Sequence, residues 1–222
     1  MRSPCWRILI LLFALGAAAP ASAMSFSLSR LPDSLCAEAC PQVIVATGEI
    51  ELNSDEAFFR FVTDEVVKQQ VTNIVLMSSP GGNLVGSLKL GILMRQLGFS
   101  IMVGQVRSGA FLSARCYSAC AYALAGGMKR IVPEGSEVGV HKAWTLRRGE
   151  VDRVTGASID EQVATEGYAP VLTRYLRMMG VSGQLMALAN ATPSSSIRVL
   201  TRAELARLRV VTPEPKRRKQ RG

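Results

Sequence analysis

The chain of 222 residues holds one histidine, and aromatics make up only 6% of it. The scarcity of aromatics argues against a nucleic-acid surface, because the few present do not interleave with basic residues to stack bases. Past residue 23 no apolar run approaches the roughly 20 residues that span a bilayer. No cysteine stands just after the first apolar run, which argues against a lipoprotein anchor. No fixed period of self-similarity appears, which excludes a repeat architecture. The lone histidine is the most informative shortage. If the chain uses a histidine base, that base is His141.

What is present begins with a processing signal. Arg2 and Arg7 precede an apolar stretch from Ile8 to Ala19, and Ala21-Ser22-Ala23 is a small-residue cleavage site. Residues 1–23 therefore read as a signal peptide, and the mature protein is expected in the periplasm or outside a bacterial cell with no stable membrane anchor. The remaining 199 residues suit one domain, residues 24–210. The net charge of +9 is unevenly placed: Lys216, Arg217, Arg218, Lys219 and Arg221 crowd the end, and residues 24–215 carry only about +2. Residues 211–222 read as a basic disordered tail, and no nucleic-acid partner is expected.

Cys36, Cys40, Cys116 and Cys120 remain after cleavage. An even number in an exported chain reads as two disulfides rather than a metal site. The connectivity stays open. Local pairing needs the backbone to leave a regular helix between each i,i+4 pair, and the alternative ties the N-terminal segment to the region of Ser118.

Hydrophobic patterning supplies the elements. Gln42 to Ile50 alternates as a strand. Ser54 opens a helix to about Gln70 that buries Phe58, Phe59, Val62 and Val66. Asn73 to Ser79 is a buried parallel strand, ended by Pro80-Gly81-Gly82. Asn83 caps a helix with an apolar face of Leu84, Leu88, Ile92 and Leu97. Ser100 to Val103 is the next strand. Ser108 to Arg115 and residues 145–157 read as loops, with a small-residue helix from Ser118 to Leu124 between them. Arg130 to Val132 and Glu137 to His141 are strands. Ser158 to Glu161 fits a capping box that opens a long helix to about Met179. A short helix follows around Ser182 to Asn190, and Thr201 to Glu204 is a second capping box. Strands alternating with helices imply an α/β fold with a mainly parallel sheet.

A serine hydroxyl needs a base within hydrogen-bond reach and donors aimed at the developing oxyanion. Ser118 at a helix start, His141 at a strand end and the glycine turn at Gly81 and Gly82 supply those parts. The amide of Ala119 is the other candidate donor. No cofactor and no metal are called for.

The segments Ile74-Val75-Leu76-Met77-Ser78-Ser79-Pro80-Gly81-Gly82, Ser118 in its small-residue helix start, Arg130-Ile131-Val132-Pro133 and Val138-Gly139-Val140-His141 resemble the proteolytic subunit of Clp protease. The chain is more similar to exported Clp-protease-like proteins of bacteria, which carry a serine flanked by cysteines. The resemblance spans roughly residues 42–210. It implies an α/β, Clp/crotonase-like fold of repeated ββα units in a single domain. It also implies a serine peptidase acting on a peptide or protein substrate, with Ser118 as nucleophile, His141 as general base and Gly81, Gly82 and Ala119 around the oxyanion. Proteins of this fold commonly assemble into homo-oligomers. An exported chain has no ATP supply, so no ATPase partner is expected.

One departure stands out. The family's third triad member is an aspartate, and Thr192-Pro193-Ser194-Ser195-Ser196-Ile197 at the corresponding place holds no carboxylate. Ser196, with Ser195 as alternative, could orient the imidazole, as could Asp160 or Glu161 from elsewhere. The competing readings are a catalytically weak or inactive protein that binds peptide or a partner, an acyl-thioester enzyme, and a serine–lysine dyad using Lys129 or Lys142.

Overall fold

Short apolar runs separated by helical stretches build a parallel sheet with crossover helices. The structure is a computed structural model that describes residues 22–36, 40–69, 71–151, 158–164 and 166–213. Nearly all of the expected signal peptide and most of the expected basic tail lie outside the described residues. Strand β1 (Ser25–Arg30) lies antiparallel to β2 (Gln42–Thr47). Parallel neighbours then follow: β3 (Val71–Ser78), β4 (Ser100–Val103) and, at the far edge, β8 (Arg130–Ile131). Between β4 and β8 the chain forms a hairpin of β5 (Gln105–Arg107) and β6 (Ala110–Leu112), and then β7 (Arg115–Tyr117).

Helix α1 (Ser54–Phe61) and a π-helical turn at Val62–Val66 connect β2 to β3, and α2 (Leu84–Gln96) connects β3 to β4. Helix α3 (Cys120–Ala125) leads into β8. After it come β9 (Glu137–Val140), a hairpin of β10 (Trp144–Val151) and β11 (Ser158–Ala164), α4 (Ala169–Met178), α5 (Leu185–Asn190), β12 (Arg198–Val199) and α6 (Arg202–Arg207).

Strand β3 is buried on both faces, as a central parallel strand must be. Val75 and Met77 face Phe58, Leu90, Met94 and Leu124 of the helical layer. Leu76 faces the other way and joins Val43, Val45, Leu31 and Cys40, with Phe111 of the β5–β6 hairpin packed over them. The Cys36–Cys40 disulfide therefore fastens the segment that covers the face without helices. On the helical side, Phe58 packs edge-on against Phe26 and Phe99, with centroids 5.2 and 5.4 Å away.

Several elements differ from the sequence reading. Helix α1 buries Phe58 but leaves Phe59 exposed. Helix α2 turns Gly86, Ser87, Leu90, Gly91 and Met94 inward and leaves Ile92 and Leu97 partly outside. Its small residues, not its leucines, set this rotation. A Cβ on Gly126 would stand 2.1 Å from the Gly91 carbonyl oxygen, so α2 and α3 meet backbone to backbone. Ser158 to Ala164 is a strand, not the start of a long helix, and residues 144–151 are its partner. The capping-box pattern is a local preference, and the hairpin overrides it with a register that sets Arg147 opposite Glu161 and Arg148 opposite Asp160. The stretch expected as a loop, Ser108 to Arg115, instead holds β6, which turns back to pair with β5. The second capping box is present as read, with Thr201 Oγ1 accepting from Glu204 N and Glu204 bonding back to Thr201 N.

Arg130 is buried, and among the described residues no carboxylate forms an ion pair with it. Its guanidinium donates to the carbonyls of Val210, Gly127, Met179 and Arg209 at 3.0–3.2 Å, and Arg95 shares the Gly127 and Met179 oxygens. Burial, and then the neighbouring Arg95, push its pKa down to about 10, so it stays charged at neutral pH. The two arginines thus serve as a cap for the ends of α3 and α4 and the segment after α6. Arg130→Met strands several buried carbonyls, each costing roughly 1–3 kcal/mol. The net loss should be about 3 kcal/mol, lowering Tm by roughly 8 °C in a calorimetric scan.

Candidate active site

Strand β3 carries the site beyond the main sheet. Ser79 forms a parallel bridge with Cys116: its amide donates to the Arg115 carbonyl and its own carbonyl accepts from Tyr117 N. The chain then turns through Pro80, Gly81 and Gly82, with φ +115° at Gly81 and +127° at Gly82. Asn83 caps α2, its Oδ1 accepting from Gly86 N at 2.9 Å. Ile50 clamps the turn from outside: Ile50 N donates to the Gly81 carbonyl and the Ile50 carbonyl accepts from Asn83 N, at 2.7 and 2.6 Å.

Strand β7 pairs in parallel with β9, with Tyr117 opposite Gly139. That register places the residues just after each strand side by side. Ser118 follows β7 and His141 follows β9, and the Ser118 Oγ lies 2.6 Å from His141 Nε2. Ser118 has φ +55°, a left-handed conformation that costs a non-glycine residue about 1–2 kcal/mol. Helix α3 begins two residues later, so Ser118 occupies a strand-to-helix turn rather than the helix itself. The Cys116–Cys120 disulfide closes that turn across 5.1 Å between Cα atoms, with both cysteines fully buried. Both disulfides are thus local, with Cys36 extended and Cys116 on β7.

Gly81 packs directly on the serine turn: a Cβ there would meet Ser118 Cβ at 2.7 Å and Ala119 N at 3.2 Å. Its own amide is engaged, donating to Ser79 Oγ at 3.1 Å. Among the described residues the amides of Gly82 and Ala119 donate to no protein acceptor. Of the glycine pair, then, Gly82 is the one with a free donor, and Gly81 supplies shape. Ser79 was not singled out by sequence. Its signal was present: a serine two residues before a glycine can close a hydroxyl turn on that amide.

The far side of the imidazole differs from expectation. His141 Nδ1 is buried, and among the described residues it makes no hydrogen bond of good geometry. Ser195 and Ser196 are exposed, and the Ser196 hydroxyl donates to the Pro193 carbonyl instead. Neither serine completes a triad in this arrangement. The element facing the ring is the backbone of Ser194, drawn in because Lys142 N holds the Thr192 carbonyl at 2.9 Å. Burial lowers the His141 pKa below 6.5, partly opposed by the Ser194 backbone. Asp160 and Glu161 lie on β11. Lys129 is exposed, and the Ser118 hydroxyl bonds to His141.

Ser118 and His141 open into a cleft of about 560 Å³. Gly82 and Ala119 line it, with Leu84, Val85, Tyr122, Val140 and Ile197 as apolar walls and Glu49 at one side. A nucleophile and base in contact, two uncommitted amides and an apolar cleft are the parts of an acyl-transfer site.

No protein-family model matches the chain, and no curated protein matches it. Among solved structures, a serine-to-alanine variant of the 1510-N membrane-bound stomatin-specific protease superposes with a TM-score of 0.50 at 16% identity, over 74% of this chain and 73% of that one. A lysine-to-alanine variant of the same protease in complex with a substrate peptide gives 0.48 at 18% identity, over 74% and 69%. The chain has a mixed α/β fold similar to that of this protease.

Proposed function

We propose that the chain is an exported serine hydrolase acting on peptides, with Ser118 as nucleophile, His141 as general base and the amides of Gly82 and Ala119 as oxyanion donors. The observation that carries this is the 2.6 Å contact between Ser118 Oγ and His141 Nε2 at a serine held with positive φ. The likeness in fold to the serine-to-alanine protease structure supports the reading. Export rests on the charge and apolar pattern of residues 1–23 and on the two disulfides.

The chemistry follows from the contacts. Neutral His141 takes the hydroxyl proton at Nε2 as Ser118 Oγ attacks a carbonyl carbon, and the new alkoxide settles on the free amides. The imidazolium then returns the proton to the leaving amine. Among the described residues no carboxylate bonds to Nδ1 to stabilise that imidazolium, so turnover should be slow compared with a full triad. The test is reaction with a fluorophosphonate probe, with the adduct mapped by mass spectrometry, beside turnover of unstructured peptides. An adduct on Ser118 is expected; a folded protein that takes up no probe and cuts no peptide overturns the reading.

The sign of the pH dependence follows from His141. Only the neutral ring accepts the proton, and burial lowers its pKa, so the acid limb of the labelling rate should have its midpoint below 6.5. The same shift makes the unfolded chain bind more protons in that window, so His141 favours unfolding as pH falls through it. A labelling rate measured from pH 4 to 8 checks the first statement.

The lack of a well-placed acceptor for Nδ1 among the described residues also favours a second reading, a protein that keeps the cleft to hold a peptide without cutting it. Peptide binding that survives His141→Ala, with no turnover by the wild type, would select it.

A further inference from the structure

Glu49 lines the same cleft, and no role in acyl transfer uses it. Its backbone is fixed on both sides of the sheet edge. Glu49 N donates to the Ser22 carbonyl at 2.8 Å and the Glu49 carbonyl accepts from Met24 N at 2.7 Å, while its neighbour Ile50 is clamped to Gly81 and Asn83. The side chain is thereby delivered onto the glycine turn, where Glu49 Cγ lies 2.7 Å from the place a Gly82 Cβ would take. Gly82 has no side chain, and that absence leaves Glu49 its room. Gly81, next along, packs on Ser118.

The carboxylate is exposed and uncommitted. Among the described residues, the ion pairs engage Asp55, Glu137 and Glu204, not Glu49. Among the described residues no lysine or arginine lines the cleft, and its other walls are apolar or neutral at pH 7. A fixed negative charge at the side of an apolar cleft attracts a cation and repels an anion, and the repulsion alone discriminates between ligands.

We infer that Glu49 makes this site select peptides that carry a cationic group close to the bond attacked. The group is an ammonium or guanidinium, from a lysine or arginine side chain or from a free peptide N-terminus. The inference rests on the peptidase reading and adds the substrate class to it.

The test uses one apolar peptide with Lys, Gln or Glu placed at each of three positions on either side of the cut, with free or acetylated N-termini. Rates are expressed per fluorophosphonate-reactive serine, so that changes at Ser118 drop out. The wild type should favour Lys over Glu by about tenfold at one position. Glu49→Gln should bring that ratio near one, and Glu49→Lys should reverse it. A preference that moves with acetylation rather than with Lys assigns the cation to the peptide N-terminus. A Lys/Glu ratio and an acetylation effect both unchanged in Glu49→Lys overturn the inference. If the wild type neither labels nor cleaves, the peptidase reading fails by itself. Fluorescence anisotropy of the same peptides on Ser118→Ala then decides about Glu49: a binding preference reversed by adding Glu49→Lys supports it, and equal affinity for all peptides overturns it.

Discussion

Ser118→Ala abolishes covalent labelling, and His141→Ala slows peptide hydrolysis about a thousandfold, the range set by loss of a general base. The two side chains act as one unit through the 2.6 Å contact, so the double variant should be no slower than Ser118→Ala alone. A double variant that loses activity in proportion to the product of the single losses would mean that the two residues work separately. The backbone gives a control that does not depend on activity. Ser118 holds φ +55° without being glycine. Ser118→Gly should therefore lose hydrolysis while its Tm holds or rises, since glycine carries no steric penalty in that region. Thermal scans beside the labelling assay separate this from loss of the fold. A serine kept where glycine would fit the backbone better is the signature of strain retained at a reacting group.

The parts of this site that were legible in sequence are those coded by neighbouring residues. The apolar run ending in Pro80-Gly81-Gly82 gives a buried strand and a turn, and Asn83 behind it gives a cap; each is a local matter of sterics and hydrogen bonding. The single histidine needed only counting. Pairing of β7 with β9 was not written in any pattern, because both strands are short and the paired residues stand 22 apart, yet this register brings Ser118 to His141. The orientation of α2 was misread for a related reason. Periodicity marks leucines, whereas close approach is decided by glycines, whose contribution is the side chain they lack. Glu49 escaped notice because nothing near it in sequence indicates that Ile50 is clamped to the turn after β3. For the third triad position the sequence offered Ser196 or Ser195, Asp160 or Glu161, or no third member, because a motif displays side chains and not the main chain. What faces the ring is main chain, from a bend held by Lys142 N on the Thr192 carbonyl.

Gly82→Ala should cost at least a hundredfold in labelling rate, more than any other change of a single methyl group in the cleft. At φ +127° the backbone lies in a region that is strained for any L side chain. The added Cβ would stand 2.2 Å from the Ile50 carbonyl oxygen and 2.8 Å from Ile50 N. These are backbone atoms held in two short hydrogen bonds, so the turn must move rather than the neighbour. Moving it displaces the Gly82 amide, and losing one oxyanion donor costs about 10²–10³ in rate. Gly98→Ala is the matched control: Gly98 has φ +78°, but nothing lies within 4 Å of the new methyl group. It should lower stability by about 1 kcal/mol and leave the labelling rate unchanged. The comparison separates positive φ, which both glycines share, from position against Ile50 and the serine turn, which only Gly82 has. Equal labelling rates for the two variants would show that the Gly82 amide takes no part in the reaction and would leave Ala119 as the donor to the oxyanion.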